Sequence, residues 1–374
     1  MRVAGIMSGT SLDGIDVAIV DIRGRRIQPV AFRSAPYEER VRRAILGVSN
    51  ATTTTAQIAR LHFLLGELYA KAVQQTCRLS RIPLKSIELV GCHGQTIYHQ
   101  GEQKPFLGLP VAATLQIGEA SIIAEALGLP VVSDFRTRDM AAGGKGAPLV
   151  PYLDYLLFRH AKKGRIALNI GGIANVTAIP PNAHPAEVIA FDTGPGNMVI
   201  DALTAEFTNG RERFDRDGRI AATGRLDHRL IDRLLADPYY RQPPPKTAGR
   251  EQYGAAYIAG IKRRLPLRDL ITTATALTAA TIALGIERFI QPRMRVDELV
   301  AAGGGVHNRT LMGYLQAFLP GVRIARTAEF GIDPDAKEAV AFAVLAHETY
   351  HRRPSNLPSA TGASHAVILG KVTY

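Results

Sequence analysis

The alternation of apolar and polar positions predicts a chain that opens with a β-hairpin. Apolar residues predict two short buried strands, Arg2 to Met7 and Ile15 to Ile22, and the polar stretch Ser8 to Gly14 between them has the composition of a turn. The same arrangement returns later as two apolar strands joined by two glycines: Arg165 to Ile170, Gly171-Gly172 and Ile173 to Ile179. Two such hairpins, each opening one half of the chain, indicate an internal structural duplication.

Strands and helices alternate along the rest of the chain. Short apolar runs predict further strands at Ile27 to Phe32, Ile87 to Cys92, Val131 to Ser133, Glu187 to Phe191 and Glu298 to Ala302. Longer segments predict helices at Thr55 to Leu79, Ala120 to Leu127, Met198 to Phe207 and Thr272 to Phe289, and a last long helix capped by Asp333.

The first hairpin turn has the chemistry of an oxyanion site. A loop of this composition points backbone N–H groups and the hydroxyls of Ser8, Thr10 and Ser11 at one spot, which forms a nest for phosphate. Asp13 and Asp16 place carboxylates at its edge, where a hydrated Mg²⁺ can be held. For this loop taken alone, an ordinary hairpin turn is the alternative.

Three further polar segments follow strand ends. His93 and Gln95 lie beside glycines, a setting suited to hydrogen-bonding a polar ligand, although a histidine satisfied within its own loop fits as well. Asp192 ends its strand where ligands of α/β sheets collect, so it is a candidate general base, with a simple turn cap as the alternative. Gly303 to Gly305 leave bare backbone for a flat base such as adenine, and Asn308 is placed to N-cap the next helix.

The segment from Asp134 to Pro148 combines charge and glycine between two apolar elements. We expect it to be a crossover between domains that also lines a cleft. It carries two arginines, Arg136 and Arg138. It is not a Walker A loop, because Gly146-Ala147 follows Lys145 where that motif requires Ser or Thr.

The composition is that of a soluble two-domain protein. A length of 374 residues suits two domains, and 46% apolar against 21% charged residues is ordinary for a chain with a proper core. Cys77 and Cys92 are the only cysteines, which argues against a disulfide scaffold. Met1-Arg2 runs straight into a strand, and the longest weakly polar run, Thr272 to Ile286, is too short to span a bilayer. We therefore expect a cytoplasmic protein without a membrane segment.

The net charge of +12 is spread in small groups along the chain. No aromatic residues interleave with these groups, and no nucleic-acid-binding motif accompanies them. We therefore expect a solvated basic surface and no nucleic-acid partner. The positive field can still attract an anionic substrate, such as a nucleotide or a carboxylated sugar.

Taken in order, these motifs resemble the sugar kinase/Hsp70/actin ATPase superfamily and, within it, the anhydro-N-acetylmuramic acid kinase family. The paired glycine hairpins, the Asp-Thr-Gly segment and the Gly-Gly-Gly turn carry the superfamily likeness. The likeness to the family covers essentially the whole chain and rests on nine segments: Gly5 to Asp16, Gly91 to His99, Leu115 to Glu119, Ser133 to Pro148, Leu168 to Thr177, Phe191 to Asn197, Pro243 to Glu251, Ala302 to Asn308 and Asp333 to Ala343.

The resemblance implies a two-domain α/β fold of the actin-like ATPase type, a duplicated ribonuclease H-like fold with a central cleft between the domains. The expected boundaries are 1–137 plus 343–374 for the first domain and 138–342 for the second, which would carry the adenosine site. The implied reaction uses ATP and Mg²⁺ to open 1,6-anhydro-N-acetylmuramic acid with water and to phosphorylate O6. Its products would be N-acetylmuramic acid 6-phosphate and ADP, in peptidoglycan recycling. A homodimer is expected from the resemblance only.

The resemblance also implies roles for individual residues. Asp192 would be the base that activates water. Nucleotide and Mg²⁺ would be held by Ser8, Gly9, Thr10, Ser11, Asp13, Gly14, Asp16, Gly171, Gly172, Gly303, Gly304, Gly305 and Asn308, with Asp13 and Asp16 nearest the metal. The sugar and its lactyl carboxylate would be bound by His93, Gln95, Arg136, Arg138, Asp192 and Glu338, and either arginine could pair with the carboxylate.

Three alternatives accompany this interpretation. The first keeps the fold, with Asp192 deprotonating the hydroxyl of another sugar. The second is an ATP-driven conformational machine of the Hsp70 or actin kind, which the sequence disfavours because no peptide-binding domain is appended. The third is a sugar-binding transcription regulator, which would need an added DNA-binding segment.

Overall fold

The chain divides into two units, each built on its own sheet. The structure, a computed structural model, describes residues 1–9, 14–24, 26–262 and 265–374. One unit comprises Met1–Leu157 with Gly331–Tyr374, and the other comprises Phe158–Phe330. These bounds differ from the expected ones at 137/138 and 342/343. A boundary at 342/343 would cut through one helix, Lys337–Tyr350.

Over the described residues the chain forms twelve strands. In chain order they are β1 (Arg2–Ser8), β2 (Gly14–Arg23), β3 (Arg26–Pro36), β4 (Leu89–Phe106), β5 (Leu109–Ile117), β6 (Val131–Ser133), β7 (Arg165–Ile170), β8 (Ile173–Ile179), β9 (Ile189–Pro195), β10 (Glu298–Ala302), β11 (Arg323–Arg326) and β12 (Lys371–Thr373).

The described residues also form thirteen α-helices. In chain order they are α1 (Glu39–Val48), α2 (Thr55–Leu79), α3 (Ala120–Leu127), α4 (Phe135–Ala141), α5 (Pro151–Phe158), α6 (Asn197–Phe207), α7 (His228–Leu235), α8 (Arg250–Tyr253), α9 (Ala255–Ile261), α10 (Leu267–Phe289), α11 (Arg309–Phe318), α12 (Lys337–Tyr350) and α13 (Pro358–Thr361).

The two sheets share one topology. In the first unit β1, β2 and β3 form an antiparallel meander, and β4 and then β6 add to β1 in parallel. In the second unit β7, β8 and β9 form the meander, and β10 and then β11 add to β7 in parallel. The predicted duplication is therefore confirmed, and β5 and β12 are additions to the first sheet alone.

Several predicted elements agree with the structure, and others differ. The helix Thr55–Leu79, the strand Glu298–Ala302 and the turn Gly171-Gly172 are found as predicted. The strand predicted to end at Cys92 continues to Phe106, because it pairs with β5 in a long hairpin. The last long helix begins at Lys337 rather than after Asp333, whose carboxylate accepts a hydrogen bond from the Asp335 N–H instead.

The expected crossover between Asp134 and Pro148 is also corrected. The segment lies inside the first unit and contains helix α4. Asp139 on this helix is fully buried, and its carboxylate accepts hydrogen bonds from the Gly146 N–H, the Asn356 amide and the Thr361 hydroxyl at 2.7–2.8 Å. These bonds tie the glycine-rich loop to the C-terminal part of the same unit.

Apolar residues cover both faces of the first sheet. Successive residues of β1 alternate between the faces, so Ala4 packs with α1, α2 and α3 while Val3 packs with α4, α5 and α12. In the second unit the sheet packs against α10 and α11. Within the described residues, α10 is the one helix long and apolar enough by composition to cross a membrane. Of its most apolar 18-residue window, however, 78% is buried inside the protein, as in a core helix.

Helix α12 lies unusually close to the first sheet because two strand glycines leave room for it. A Cβ atom on Gly5 in β1 would lie 2.0 Å from the carbonyl oxygen of Ala339. A Cβ on Gly91 in β4 would lie 2.3 Å from the carbonyl oxygen of Phe342. The backbone of α12 therefore rests on β1 and β4, and its first turn is fixed relative to their C-terminal ends.

We predict that Gly5→Ala destabilises the protein, because the new methyl group would meet the backbone of Ala339 and α12 would have to move. The expected loss in unfolding free energy is about 1–3 kcal/mol, the usual cost of overpacking a core. A shift of the urea unfolding midpoint would measure it. The control is Gly313→Ala, in the middle of α11 with nothing within 4 Å of the added Cβ, which should be neutral or stabilising. Equal midpoints for Gly5→Ala and wild type would contradict the close approach.

Candidate active site

The first hairpin turn is held at its start by Ser8 and Gln95. The Ser8 hydroxyl donates to the Gln95 amide oxygen at 2.5 Å, and the Tyr37 hydroxyl lies 2.7 Å from the same Ser8 oxygen. The Gln95 amide nitrogen donates to the Gly9 carbonyl at 3.3 Å. Both side chains are only 1% exposed. The structure thus brings Ser8, Gly9 and Gln95 together in a buried network that fixes where the turn leaves β1.

The rest of this turn is described only at its far end. Gly14 and Asp16 belong to β2, with Asp16 opposite Met7 in the antiparallel register. Three residues predicted to bind phosphate or metal, Thr10, Ser11 and Asp13, lie outside the described residues. Among the described residues there is no group of three or more His, Cys, Asp or Glu side chains that could hold a metal ion.

His93 and Arg136 form a pair close to Ser8 and Gln95 in the first unit. The His93 Nδ1–H donates to the Gly94 carbonyl at 2.7 Å, which leaves Nε2 to accept from the Arg136 Nε–H at 3.1 Å. Burial, and secondarily the Arg136 charge, hold the pKa of His93 well below its ordinary value, so the ring is neutral. Arg136 also donates to the Gly146 carbonyl at 2.7 Å. The guanidinium is therefore oriented by two partners.

Arg136 and Arg138 have different surroundings, although both lie on α4. Arg136 is half-buried, and burial lowers its pKa to about 10, so it stays charged at neutral pH. Arg138 is exposed. Residues two apart on a helix point about 200° apart, so the two side chains cannot contact the same group of a ligand. The structure therefore separates the two arginines that the sequence left equivalent.

Glu338 stands near Arg136 and Asp16 at the start of α12. Burial, and secondarily repulsion from Asp16, raise the pKa of Glu338, while Lys337 and Arg136 act in the opposite direction. The neighbouring Lys337 pairs with Asp154 of α5 at 2.6 Å, and both side chains are 3% exposed. This ion pair holds the first turn of α12, so Glu338 is presented from a fixed position.

In the second unit the glycine turn and the glycine triplet lie side by side. The carbonyls of Gly171 and Gly172 accept from the first N–H groups of α6, at 2.8 Å for Asn197 and 3.2 Å for Met198. Gly303 has φ +81°, and a Cβ there would lie 2.7 Å from the Ile170 carbonyl oxygen. The residues predicted to bind phosphate and adenosine in this unit are therefore neighbours, with the side chain of Asn197 beside Gly305.

Asn308 caps α11, as predicted. Its side-chain oxygen accepts from the Leu311 N–H at 2.9 Å. The turn Arg216–Gly218 packs against this cap, where the Thr310 hydroxyl donates to the Gly218 carbonyl at 2.7 Å. A Cβ on Gly218 would lie 2.2 Å from the Asn308 side-chain oxygen. Sequence reasoning missed this turn, since its contact with α11 spans some ninety residues of chain.

Asp192, in β9, is held on three sides by the segment 239–248. Its N–H donates to the Lys246 carbonyl at 3.1 Å, its carbonyl accepts from the Tyr239 hydroxyl at 2.6 Å, and its Oδ2 accepts from the Ala248 N–H at 2.8 Å. Burial raises the pKa of Asp192 to about 7, a rise that Glu251 increases and that the Ala248 N–H and Lys246 reduce. Such a carboxyl can take up a proton at neutral pH, as a general base must.

Comparison with known proteins shows the family to which the chain belongs. The sequence profile of the family described as anhydro-N-acetylmuramic acid kinase matches residues 1–374. The chain belongs to this family. The anhydro-N-acetylmuramic acid kinase of Caldanaerobacter subterraneus subsp. tengcongensis is 44% identical, over 99% of this chain and 96% of its own. That of Salinibacter ruber is 43% identical over the same shares.

Solved structures give more remote likenesses. Component A of (R)-2-hydroxyglutaryl-CoA dehydratase from Acidaminococcus fermentans is 12% identical, over 94% of this chain and 99% of its own, with a TM-score of 0.46. A ROK family glucokinase from Streptomyces griseus is 13% identical, over 93% and 100%, with a TM-score of 0.41. These likenesses say nothing about the reaction.

Family membership and topology together confirm the principal expectations. The chain is a kinase with a two-domain α/β fold, in which one sheet topology occurs twice. ATP is the usual phosphoryl donor of kinases.

Proposed function

We propose that the protein opens the 1,6-anhydro ring of 1,6-anhydro-N-acetylmuramic acid with water and transfers the γ-phosphoryl group of ATP to O6. The products are N-acetylmuramic acid 6-phosphate and ADP. One water oxygen enters at C1, and the C1–O6 bond breaks. The observation that carries the proposal is the half-buried carboxyl of Asp192, with a pKa of about 7, in a chain of this kinase family.

Asp192 is proposed as the base that takes a proton from the attacking water. One carboxylate oxygen, Oδ2, is held by the Ala248 N–H, while Oδ1 has no hydrogen bond among the described residues. This arrangement suits a base, because the hydrogen bond to one oxygen fixes the orientation of the carboxylate while the other oxygen can receive the proton. The raised pKa of Asp192 makes it a stronger base than an ordinary carboxylate.

A single carboxylate is sufficient for this chemistry. Ordinary glycosidases use a second carboxylic acid to protonate the leaving oxygen. In the proposed reaction the leaving oxygen is O6, which bonds to the phosphoryl group and therefore needs no proton. This accounts for a site in which Asp192 is not paired with a second carboxyl group at hydrogen-bond distance among the described residues.

Arg136 is the proposed partner of the lactyl carboxylate. Its guanidinium stays charged, is oriented by His93 and Gly146, and retains Nη2, which makes no hydrogen bond within the described part of the chain. A planar guanidinium is suited to a carboxylate because two N–H groups can bond it together. The exposed Arg138 lacks this orientation. Glu338, close to Arg136, is proposed to bind a hydroxyl or amide of the sugar.

The nucleotide contacts are proposed by family resemblance and by the neighbourhoods described above. The turn that Ser8 and Gln95 hold would contact the β- and γ-phosphates through its backbone, together with Gly9, Thr10 and Ser11. The glycine pair at 171–172 would complete the phosphate contacts, and Gly303–Gly305 with Asn308 would carry the adenosine. There the Ile170 carbonyl leaves no room for a Cβ on Gly303, and the Ile170 side chain leaves none for a Cβ on Gly305.

Mg²⁺ is proposed to be held through its water shell by Asp13 and Asp16. Mg²⁺ usually keeps several waters and uses one or two carboxylates with the phosphates, so it needs no larger cluster of side chains. Asp16 at the start of β2 fits this use. A higher Mg²⁺ concentration for half-maximal rate in Asp16→Asn would support the assignment, and an unchanged concentration would refute it.

The biological setting is likewise a proposal. The substrate is a fragment of peptidoglycan, so the reaction would belong to the recycling of cell-wall material in the cytoplasm. A homodimer is proposed on the family resemblance, and sedimentation of the purified protein would test it.

We predict that Asp192→Asn lowers kcat by roughly 10²–10⁴-fold with the fold intact, since the amide cannot accept the proton. The amide oxygen can still accept from the Ala248 N–H, so the local structure should persist. For the wild type, kcat should rise with pH through about 7, because only the carboxylate form of Asp192 acts as a base. Steady-state kinetics between pH 5.5 and 9 would measure both effects.

The pH profile supplies the control for this prediction. The residual rate of Asp192→Asn should lack the rise near pH 7, and its circular dichroism should match that of the wild type. A variant that keeps a near-normal rate, or one that keeps the same pH dependence, would remove Asp192 from the role of base.

We predict that Arg136→Gln raises the KM for the anhydro sugar by roughly 10–100-fold, the value of one or two hydrogen bonds to a charged group. The KM for ATP should be nearly unchanged. Arg138→Gln is the matched control on the same helix and should stay within about threefold of the wild type for both substrates. A larger effect at Arg138 than at Arg136 would reverse the assignment of the lactyl partner.

A further inference from the structure

Lys246 is a buried lysine beside the proposed base, and the reaction proposed above makes no use of it. Its side chain is 6% exposed. The ammonium Nζ lies 4.5 Å from the centre of the Tyr239 ring, 4.8 Å from that of Phe289 and 5.7 Å from that of Phe191. It also donates to the Tyr239 carbonyl at 3.0 Å. A cation in such a cage is stabilised by the ring faces, which offsets part of the cost of removing it from water.

The cage joins three separate parts of the second unit. Phe191 belongs to β9 and precedes Asp192, Phe289 ends α10, and Tyr239 belongs to the short turn Pro238–Arg241. Phe191 and Phe289 meet edge to face, with centroids 5.7 Å apart. The ammonium group therefore pins the segment 239–248 onto the core formed by β9 and α10.

The same segment makes three hydrogen bonds to Asp192. The Lys246 carbonyl accepts from its N–H, the Tyr239 hydroxyl donates to its carbonyl, and the Ala248 N–H donates to its carboxylate. Residues 242–249 contain no helix or strand of their own. The Lys246 side chain therefore adds an anchor to a stretch without secondary structure, beside the hydrogen bond that Arg288 donates to the Tyr240 carbonyl at 3.2 Å.

We propose that Lys246 is a positioning residue for the reaction: by seating its ammonium group among Tyr239, Phe191 and Phe289, it holds the 239–248 segment against Asp192 and so aims the carboxylate at the attacking water. The proposal rests on the proposed function of Asp192. It does not make Lys246 a catalytic residue, since the lysine acts through the segment and through its charge.

The charges around Asp192 set the direction of the expected effect. Lys246 favours the carboxylate form and Glu251 opposes it, while the Tyr239 hydroxyl is neutral at working pH and Arg288 lies near Lys246 rather than near Asp192. The Ala248 N–H also favours the carboxylate. Loss of the lysine would remove one favourable charge and loosen the other favourable contact, so the pKa of Asp192 would rise.

The test compares Lys246→Met, Lys246→Arg and the control Lys163→Met. Lys163 belongs to the same unit but pairs with Glu298 at 2.5 Å, so its loss removes a cation without disturbing the segment. Lys246→Met should lower kcat by roughly 10–100-fold, the usual cost of a misplaced catalytic group. The KM for ATP should change little. The midpoint of the acid limb of the pH profile should move to higher pH.

The other variants distinguish positioning from simple stability. Lys246→Arg keeps a cation that can stack on aromatic rings, so it should recover most of the lost rate and restore the midpoint. Lys163→Met should match the wild type. If Lys246→Met folds too poorly to assay, Tyr239→Phe replaces it: the ring stays in the cage, the bond to the Asp192 carbonyl is lost, and the same upward shift of the midpoint is expected on a smaller scale.

Two outcomes would overturn the inference. One is an unchanged midpoint in Lys246→Met, or in Tyr239→Phe where that variant replaces it. The other is a loss of rate in Lys246→Met equal to the loss of folded protein, measured by circular dichroism. Asp192→Asn, assayed in parallel, separates this from failure of the proposed function: a near-normal rate there would refute the base itself, whatever Lys246 does.

Discussion

Close contact between backbones, made at glycines, is the constraint on which both units depend. In the first unit α12 rests directly on β1 and β4 at Gly5 and Gly91. In the second, the Gly171 carbonyl approaches Gly196 so closely that a Cβ there would lie 2.2 Å away, and a Cβ on Gly303 would lie 2.7 Å from the carbonyl oxygen of Ile170. Contacts between backbones allow little adjustment, because a side chain can change rotamer but a carbonyl in a strand or helix cannot move alone. Polar groups at the strand ends are thereby held in fixed positions.

Burial and the contacts that remain to these polar groups then set their pKa values and charges. His93 is kept neutral by burial beside Arg136, and Arg136 keeps its charge in spite of burial. Asp192 is half-buried with one oxygen bonded, and its pKa rises to about 7. At all three side chains, removing a charge from water costs free energy. The local partners decide whether the charged or the neutral form is favoured. The proposed division of labour, with Arg136 as anion binder and Asp192 as base, follows from that difference.

Local sequence signals predicted the elements that local interactions determine. The helix Thr55–Leu79 was predicted from the pattern of its own residues, and Asn308 was predicted to cap α11, as it does. Both signals lie within or next to the helix they predict. The paired glycine hairpins were predicted for the same reason, and with them the duplication.

Features that depend on distant contacts were not predicted. The extension of β4 to Phe106 requires pairing with β5, and the place of Asp139 depends on Asn356 and Thr361, more than two hundred residues away in the chain. The cage of Lys246 draws on β9, α10 and a loop. In the sequence Lys246 is simply a cation after three prolines. It lies in Pro243 to Glu251, one of the segments that carry the family resemblance, but nothing along the chain there indicates that its side chain is buried.

The central claim is that water opens the anhydro ring while O6 receives the phosphoryl group. The most direct test is a coupled ADP-release assay with Mg-ATP and 1,6-anhydro-N-acetylmuramic acid in ¹⁸O-labelled water. Unlabelled N-acetylmuramic acid 6-phosphate kept in the same water corrects for exchange at C1. The account predicts one ADP per sugar and ¹⁸O at C1 of the product above that correction. Sugar-dependent ADP release without label at C1 would contradict ring opening by water, and absence of a response to the sugar would contradict the proposed substrate.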